Sequence, residues 1–482
     1  MGVGGTRAAV VAASAVALVN FLCGVGETSY FGDETFSIDV AREPLGNPML
    51  DHLRATEVAP PAYYVLLHVW IEVTGAAREL GLRLPSVLAG LALVVSTWRL
   101  TGQVGGRTAS AAAALLVATS PLVLTYAQQV RAYALVALLV TAAAVAAIGA
   151  ARAGPRARAH GWACAVLCVG AVWTHYTALP VVAAIVGWSL VARHRSRECT
   201  VQAGVIGLAV LLVAPLARAQ FARGSEDHDS ARLSWRTALE VIGTPFDGRD
   251  YSPLWVAASG AIVVAAAIAM QVTAVRLSRR TGPHAAARVS VGGVDVTDPR
   301  VLVLACGVGP IAILLLLALA GSDVLWSRYT VVAAPFLAVM IGLAADAPRR
   351  TVRLLPLLAV VLAVGGSVRA HARPGQFPAT RALVEAAAAE WRRGDRLVLT
   401  LDFSINASLQ HYARRELPPG APLDPPVPET LARSGVRLWI VSPRIPRSAF
   451  ADLLPAGAEL RRLQVFEAAG PLQLTLVTTA PA

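Results

Sequence analysis

The stretch that decides the fold is residues 301–320, VLVLACGVGPIAILLLLALA, which carries no charged side chain. An α-helix of about twenty apolar residues is long enough to cross the hydrocarbon core of a bilayer. Apolar runs of about 15 to 22 residues recur along the chain. The stretch therefore predicts a membrane-spanning helix, and its recurrence predicts an α-helical polytopic membrane protein.

The composition of the whole chain points the same way. Of 482 residues, 56% are hydrophobic and 15% are charged, whereas a soluble domain has about 25% charged residues. The net charge is +12, and every basic side chain is an arginine because the chain contains no lysine. Most arginines fall in short turns between apolar runs, where they act as topology signals. We therefore expect a lipid bilayer as a partner and no nucleic acid.

The apolar pattern predicts about eleven transmembrane helices. They lie at residues 8–25, 84–100, 109–126, 130–150, 161–175, 177–192, 201–219, 254–275, 301–320, 329–345 and 354–369. The apolar segment 62–75 is short for a span and contains His68 and Glu72. We expect that segment to be interfacial or re-entrant.

Arginine counts orient these spans, because positive loops favour the cytoplasmic side. Five arginine-rich turns fall on one side, near residues 99–107, 152–158, 193–197, 276–288 and 349–353. We take that side as cytoplasmic, with the N-terminus on it in an uncleaved first span. The loop 26–83 and the C-terminus then lie on the extracytoplasmic face of a plasma-membrane protein.

The character of the chain changes near residue 370. Residues 380–392 and 405–415 have helical patterns, and residues 396–401, 436–442, 462–467 and 472–478 have strand patterns. The segment 417–428 is rich in proline and predicts a loop. We expect a transmembrane catalytic domain over residues 1–369 and a small extracytoplasmic α/β domain over residues 370–482.

An acidic pair, Asp33-Glu34, follows the first apolar run. Carboxylates held at a membrane face are costly to keep, and a carboxylate can take a proton from an attacking hydroxyl. The residues after the pair suit an interfacial helix, which would hold it near the lipid. The alternative is a solvated loop acid.

The same outer loop contains Glu57, followed by Pro60, Pro61, Tyr63 and Tyr64. Consecutive prolines fix an extended approach to the next helix because each ring restricts its own φ and the preceding residue. The two tyrosines are expected at headgroup level. The alternative is an aromatic anchor with an unrelated upstream acid.

Two arginines lie at outer ends of spans, where positive charge is not expected. They are Arg131, which precedes Tyr133, and Arg328, which precedes Tyr329. An arginine can bind a lipid phosphate through two hydrogen bonds. The alternative is snorkelling of the side chain to the headgroups.

A histidine and a tyrosine, His175 and Tyr176, interrupt two predicted spans on the outer side. His175 could bind a metal or a hydroxyl, or it could be a hydrogen-bonded packing residue. The run Glu226-Asp227-His228-Asp229 has the composition of metal ligands, but a solvated loop is the favoured interpretation.

Taken together, these motifs resemble the GT-C membrane glycosyltransferases. The elements are Asp33-Glu34, Glu57-x-x-Pro60-Pro61-x-Tyr63-Tyr64, Gln128-x-x-Arg131-x-Tyr133, Arg83-Leu84-Pro85-Ser86 and Arg328-Tyr329. The group most similar to them is the protein O-mannosyltransferase and aminoarabinose-transferase-like superfamily. The resemblance covers roughly residues 26–340, and Gln129 and Ala59 stand where that group commonly has glutamate and histidine.

The resemblance implies transfer of a hexosyl or pentosyl group from a polyprenyl-monophosphate donor on the extracytoplasmic face, with inversion. It implies that Asp33 and Glu34 are the catalytic pair, with Asp33 as the acid or base. Glu34 and Glu57 would shape the acceptor or metal site, and Arg131 and Arg328 would hold the donor phosphate. Tyr63, Tyr64, Tyr133, His175, Tyr176 and Tyr329 are the further substrate-binding candidates. A divalent metal would have Glu57 and His175 as candidate ligands, and the acceptor would be a glycan, a lipid or a protein.

Two other functions fit a polytopic protein. A transporter or flippase of lipid-linked glycans would place ionisable residues within its spans, whereas the candidates here collect at the outer rim. A non-catalytic scaffold would have no need to keep the loop acids and the outer arginines together on one membrane face. The sequence therefore favours an enzyme, with the transporter as the alternative.

Overall fold

The structure of the protein is a computed structural model. It describes residues 3–152, 154–194, 196–222, 243, 253–280, 290–291, 294–322, 326–372, 379–399, 403–424, 436–443, 458–468 and 470–478. The predicted Glu226–Asp229 cluster lies outside the described residues.

Helices make up most of the described chain. They are α1 Val3–Leu22, α2 Gly32–Arg42, α3 Asn47–Thr56, α4 Ala62–Thr74, α5 Glu79–Val104, α6 Arg107–Thr119, α7 Pro121–Ala127, α8 Tyr133–Ala151, α9 Ala157–Thr174, α10 Ala178–Ala192, α11 Arg197–Ala222, α12 Pro253–Arg280, α13 Pro299–Leu319, α14 Ala334–Leu343, α15 Arg350–Arg353, α16 Leu355–Ala372, α17 Thr380–Ala389 and α18 Phe403–Glu416. Two short 3₁₀ helices cover Ser327–Thr330 and Ala344–Asp346.

A helix lies at each of the eleven predicted spans. Five described helices are long and apolar enough to cross a membrane: α5, α8, α11, α13 and the helical stretch Arg350–Ala372. A sixth is the pair α6 and α7, which is bent by 56°. Ser120 marks that bend, since its side chain accepts a hydrogen bond from the Val123 N–H and Pro121 begins the next helix. The protein thus has several apolar spans, and the count of eleven stays a prediction.

The strands form two sheets. They are β1 Ser290–Val291, β2 Val294–Asp295, β3 Arg396–Val398, β4 Leu423–Asp424, β5 Arg437–Pro443, β6 Glu459–Ala468 and β7 Gly470–Thr478. The first two make a short antiparallel pair, and the other five have the order β4-β3-β5-β7-β6. β3 runs parallel to β4 and β5, whereas β7 runs antiparallel to β5 and β6.

The segment 417–428, expected to be a loop, contains the strand β4. The backbone N–H groups of Leu397 and Leu399 donate to the carbonyls of Pro422 and Asp424. The Arg396 guanidinium also binds both carboxylate oxygens of Asp424. These pairings are made with β3, so the local proline-rich pattern could not predict them.

The chain divides into two compact units. The first comprises residues 1–23, 43–76 and 82–369, and the second comprises residues 24–42, 77–81 and 370–482. The second unit therefore includes α2, which the sequence had grouped with the membrane domain. The predicted boundary at residue 370 stays a prediction, and each unit is described below by itself.

The first unit is a close-packed bundle of helices. Gly342 of α14 lies so near Ala109 of α6 that an added Cβ would come within 2.6 Å of the Ala109 carbonyl oxygen. Only glycine allows that approach of the two helices. In the second unit a small core joins β3, β5 and β7 through Val398, Leu438, Ile440 and Val477.

Candidate functional site

The acidic pair lies in the first turn of α2, within the second unit. Glu34 is fully buried, and its Oε2 atom accepts a hydrogen bond from the Phe31 N–H over 2.9 Å. This is the glutamate half of a capping box, in which a glutamate in the first turn satisfies a backbone donor at the start of the helix. The Asp33 side chain is half-buried. The two carboxylates therefore differ in burial, with Glu34 engaged in starting the helix.

The Glu57 carboxylate forms an ion pair with Arg131 in the first unit. Nη1 of Arg131 lies 2.7 Å from Oε1 of Glu57, and the exposed fractions of their side chains are 12% and 5%. Glu57 caps the end of α3, where its N–H donates to the Leu53 carbonyl. Arg131 lies in the loop between α7 and α8. The pair therefore joins two loops that the sequence placed on the same face.

A second contact holds the Arg131 loop through its backbone. The Ser86 hydroxyl of α5 lies 3.3 Å from the Arg131 carbonyl oxygen and 3.4 Å from the Tyr63 hydroxyl. Tyr63 and Tyr64 are both buried, with their rings edge to face at 5.7 Å. Both tyrosines are thus packed inside the unit, and their position at headgroup level stays a prediction.

The loop that follows Glu57 is held by a glutamine. Nε2 of Gln220 donates to the Ala59 carbonyl over 3.0 Å, and Oε1 of Gln220 accepts from the Tyr176 hydroxyl over 2.7 Å. Gln220 is buried near the end of α11. It was missing from the sequence-based candidates, because a lone glutamine at the end of an apolar run has no local signature.

Aromatic rings connect the remaining candidates. The ring of Tyr133 lies 4.5 Å from that of Tyr126 and 4.8 Å from that of His175. The His175 ring in turn lies 6.3 Å from the ring of Tyr329. We call Tyr126, Tyr133, His175 and Tyr329 the ring row. It brings together residues from α7, α8, the turn after α9 and the 3₁₀ helix Ser327–Thr330.

Two guanidinium groups flank the ring row. The Arg131 group lies 5.9 Å from the Tyr133 ring centre, and the Arg328 group lies 5.6 Å from the Tyr329 ring centre. Arg328 also stacks over Trp326 at 4.7 Å. His175 lies between these two tyrosines, so the guanidinium groups bring positive charge to both sides of its ring. Positive charge on both sides of the ring row favours an anion there.

The hydrogen bonds of His175 define its tautomer. Its Nδ1 atom accepts from the backbone N–H of Thr177 over 3.2 Å and lies 2.9 Å from the Thr177 hydroxyl. A backbone N–H can only donate, so Nδ1 carries no proton and the ring is neutral with its proton on Nε2. His175 can therefore offer a hydrogen-bond donor through Nε2.

This geometry does not suit a divalent metal at the two candidate ligands. A neutral histidine that binds a metal through Nε2 keeps its proton on Nδ1, but Nδ1 of His175 faces an N–H donor. The Glu57 carboxylate is already bound to Arg131. The described residues contain no group of three or more histidine, cysteine, aspartate or glutamate side chains that could hold a metal ion.

The structure thus brings together most of the predicted residues. Within the first unit they form one connected set: Glu57, Tyr63, Tyr64, Arg131, Tyr133, His175, Tyr176, Arg328 and Tyr329. Asp33 and Glu34 belong to the second unit. Ser86 had appeared in the sequence only as part of the Arg83–Ser86 motif, without a role, and Tyr126 and Gln220 were not among the predicted site residues.

Comparisons with known proteins agree with the resemblance seen in the motifs. The sequence profile of the family described as dolichyl-phosphate-mannose-protein mannosyltransferase matches residues 58–217, which is less than half of the chain. A search of curated proteins finds no match.

Several solved structures have a similar fold. The arabinofuranosyltransferase AftD from Mycobacteria superposes with a TM-score of 0.51 at 14% identity, covering 99% of this chain and 40% of AftD. The oligosaccharyltransferase of Archaeoglobus fulgidus in its apo form gives a TM-score of 0.50 at 12% identity, covering 91% of this chain and 69% of the archaeal one. ArnT from Cupriavidus metallidurans bound to undecaprenyl phosphate gives 0.46 at 15% identity over 97% of both chains. The first two matches confirm the similarity to GT-C glycosyltransferases at the level of the fold.

Proposed function

We propose that this chain is a membrane glycosyltransferase that moves a hexosyl or pentosyl group from a polyprenyl-monophosphate donor to a hydroxyl acceptor. One observation carries the proposal. Arg131 and Arg328, from two loops far apart in the sequence, lie over Tyr133 and Tyr329, the two rings on either side of His175 inside one helical unit. The profile match to a family that is described by its dolichyl-phosphate-mannose donor supports this class of substrate.

A phosphate monoester anion suits the ring row and its two arginines. Guanidinium groups bind phosphate oxygens through charge-assisted hydrogen bonds. The neutral His175 would add a donor from Nε2. Positive charge aimed at the leaving phosphate stabilises the charge that develops there as the sugar departs. The arginines therefore fit the donor end of the reaction.

Asp33 is proposed as the catalytic base. Its carboxylate would take the proton from the acceptor hydroxyl while the hydroxyl oxygen attacks the anomeric carbon. The bond between that carbon and the phosphate oxygen then breaks, and the polyprenyl phosphate leaves with the bonding electrons. A single displacement of this kind inverts the anomeric configuration. We assign Glu34 to holding the start of α2, because its carboxylate is buried and bound to Phe31 N–H.

The acceptor would be a glycan, a lipid or a protein, and transfer would occur on the extracytoplasmic face of the plasma membrane. The arginine-rich turns support that orientation. It places the N-terminus in the cytoplasm and residues 370–482 outside. No metal-dependent step is proposed, since Glu57 and His175 do not offer a metal site.

The test of Asp33 is a proteoliposome assay with a polyprenyl-phosphate donor labelled in the sugar. The purified full chain should release sugar from the lipid and glycosylate an acceptor, and Asp33→Asn should lower transfer by at least about a hundredfold, the lower end of what general-base catalysis contributes. Asp51→Asn is the matched control, since Asp51 is an exposed aspartate of α3. Full activity of Asp33→Asn would disprove the role of Asp33.

The role of the two arginines beside the ring row is tested with Arg328→Gln in the same assay. Loss of one charge-assisted hydrogen bond costs about 1.5 to 3 kcal/mol, which lowers kcat/KM roughly 10- to 150-fold. Arg349→Gln changes an exposed arginine before α15 and should retain activity. Movement of intact labelled lipid between leaflets, with no sugar released, would instead support the transporter.

A further inference from the structure

The second unit contains a pocket of about 470 Å³ that the proposed function does not use. Its lining residues come from three separate parts of the chain: Asp39, Arg42, Ala77, Arg78, His411, Arg414 and Arg415. A volume of this size lies within the range of small-ligand sites, about 300 to 1,000 Å³. Neither Arg131 nor Arg328 lines this pocket, so it is distinct from the proposed donor site.

Charge is the main chemical property of the pocket. Four arginines and one aspartate line it. Arg415 pairs with Glu79 at 3.7 Å and with Glu416 at 3.2 Å. For Arg42, Arg78 and Arg414, the described part of the chain shows no ion pair. The lining therefore favours an anion.

The wall formed by α18 is held in place by buried contacts. The Tyr412 hydroxyl accepts from the Tyr30 N–H over 2.9 Å and donates to Oε1 of Glu79 over 3.0 Å. The Ser408 hydroxyl donates to the Tyr30 carbonyl over 2.6 Å. Residues 411, 414 and 415 share one face of α18 because helical neighbours are three and four positions apart. The arginines thus project from a fixed support.

His411 adds a neutral group to the same wall. The Tyr30 ring packs edge to face against the His411 ring at 5.1 Å. Burial, together with the charges of Arg42 and Arg415, lowers the pKa of His411 to about 4. The imidazole is therefore neutral near pH 7 and can donate one hydrogen bond without adding charge.

We propose that this arginine-lined pocket binds a phosphate group, either as a free anion or as the headgroup of an anionic lipid. Arginine presents its donors in a planar fork that matches phosphate oxygens. Four arginines and one aspartate line the cavity, so its positive charge is greater than the single carboxylate can neutralise. The proposal is independent of the glycosyltransferase assignment, because none of the pocket residues has a role in the proposed transfer reaction.

The test measures binding of inorganic phosphate to the full chain by calorimetry, in detergent and in nanodiscs. We expect saturable binding by the wild type that weakens as salt is added, because salt screens charge. The double variant Arg78→Gln, Arg414→Gln should bind at least about tenfold more weakly, which corresponds to loss of one charge-assisted contact. Arg393→Gln is the control, since Arg393 is an exposed arginine of the same unit outside the pocket.

A second variant is needed because the double variant would also lose binding if it failed to fold. Ala77 is exposed at the pocket, so Ala77→Glu adds a negative charge there without removing a buried side chain. It should also weaken phosphate binding. An unchanged affinity in both Ala77→Glu and the double variant, or no saturable binding by the wild type in any preparation, would overturn the proposal.

The source of the phosphate is separated by lipid composition. Nanodiscs of phosphatidylcholine alone are compared with nanodiscs that also contain phosphatidylglycerol. Competition by phosphatidylglycerol in the wild type, absent in the double variant, assigns a lipid headgroup. Equal phosphate affinity in both nanodiscs assigns a free anion. Each of these two results supports the phosphate site.

Discussion

Arg131 donates a hydrogen bond from Nη1 to Oε1 of Glu57 over 2.7 Å, although the two residues are 74 positions apart in the chain. Arg131 also lies over the Tyr133 ring. The carboxylate thereby fixes the direction of the guanidinium beside the ring row.

The ion pair predicts a loss of stability in Glu57→Gln. Removing one charge of a buried pair costs about 3 to 5 kcal/mol because the other charge stays buried without its partner's field. Unfolding in detergent measures the change, and Asp51→Asn should have little effect because its pair with Arg54 is exposed. Adding Arg131→Met to Glu57→Gln should cost less than the sum of the two single changes. Strict additivity would contradict the coupling.

The hydrogen bonds of Gln220 predict that its replacement increases the mobility of the loop around Ala59. In Gln220→Leu the buried Ala59 carbonyl and the Tyr176 hydroxyl both lose their partner, and an unsatisfied buried group costs about 1 to 3 kcal/mol. Hydrogen exchange should therefore speed up over residues 57–64. Tyr176→Phe should have a smaller effect, since the bond to Ala59 survives.

The matched control for that experiment is Gln103→Leu. Gln103 donates to the Val145 carbonyl over 3.3 Å and makes no described contact with the Ala59 loop. Its replacement should leave exchange over residues 57–64 unchanged. Equal exchange in Gln220→Leu and the wild type would show that Gln220 does not hold the loop.

The two acids of α2 should respond differently to neutralisation. Glu34→Gln keeps an oxygen that can accept from the Phe31 N–H, so the start of the helix and most transferase activity should survive. Glu34→Leu removes that acceptor and should lower the melting temperature, since loss of a helix cap costs about 1 kcal/mol. A loss of activity in Glu34→Gln as large as in Asp33→Asn would instead make Glu34 catalytic.

His411 predicts a pH dependence of stability. Its pKa is lowered from 6.5 to about 4, first by burial and then by nearby positive charge. Between these values the unfolded chain binds a proton that the folded chain does not, so the contribution is present above pH 6.5 and is lost as the pH falls towards 4. The charged groups that act on His411 are Arg42, Glu79, Arg414 and Arg415.

The measurement is the melting temperature of the wild type and of His411→Gln across that range. The wild type should lose stability faster than the variant between pH 6.5 and pH 4, because only the wild type must keep a buried histidine uncharged. Contributions from other groups cancel in the difference. Parallel curves would contradict the low pKa of His411.

The helices were predictable because their apolar runs are long and continuous. The run 301–320 coincides with α13, Pro299–Leu319, to within two residues at either end. The interruption at His175-Tyr176 was also predicted, and the structure ends α9 at Thr174 and begins α10 at Ala178. In contrast, the short strand β4 lies in a proline-rich segment and depends on pairing with β3. A local sequence pattern predicts which segments are buried. It does not predict which strands pair, because the pairing partner lies elsewhere in the chain.

The sequence by itself determined that the chain is a helical membrane protein, and it identified the acids and arginines that are candidates for the site. Hydropathy and charge are local properties, so they can be read along the chain. Only the tertiary structure decided that Glu57 pairs with Arg131, that Gln220 holds the Ala59 carbonyl and that α2 belongs to the same compact unit as residues 370–482. These relationships join residues far apart in sequence, and they depend on how helices pack rather than on any local pattern.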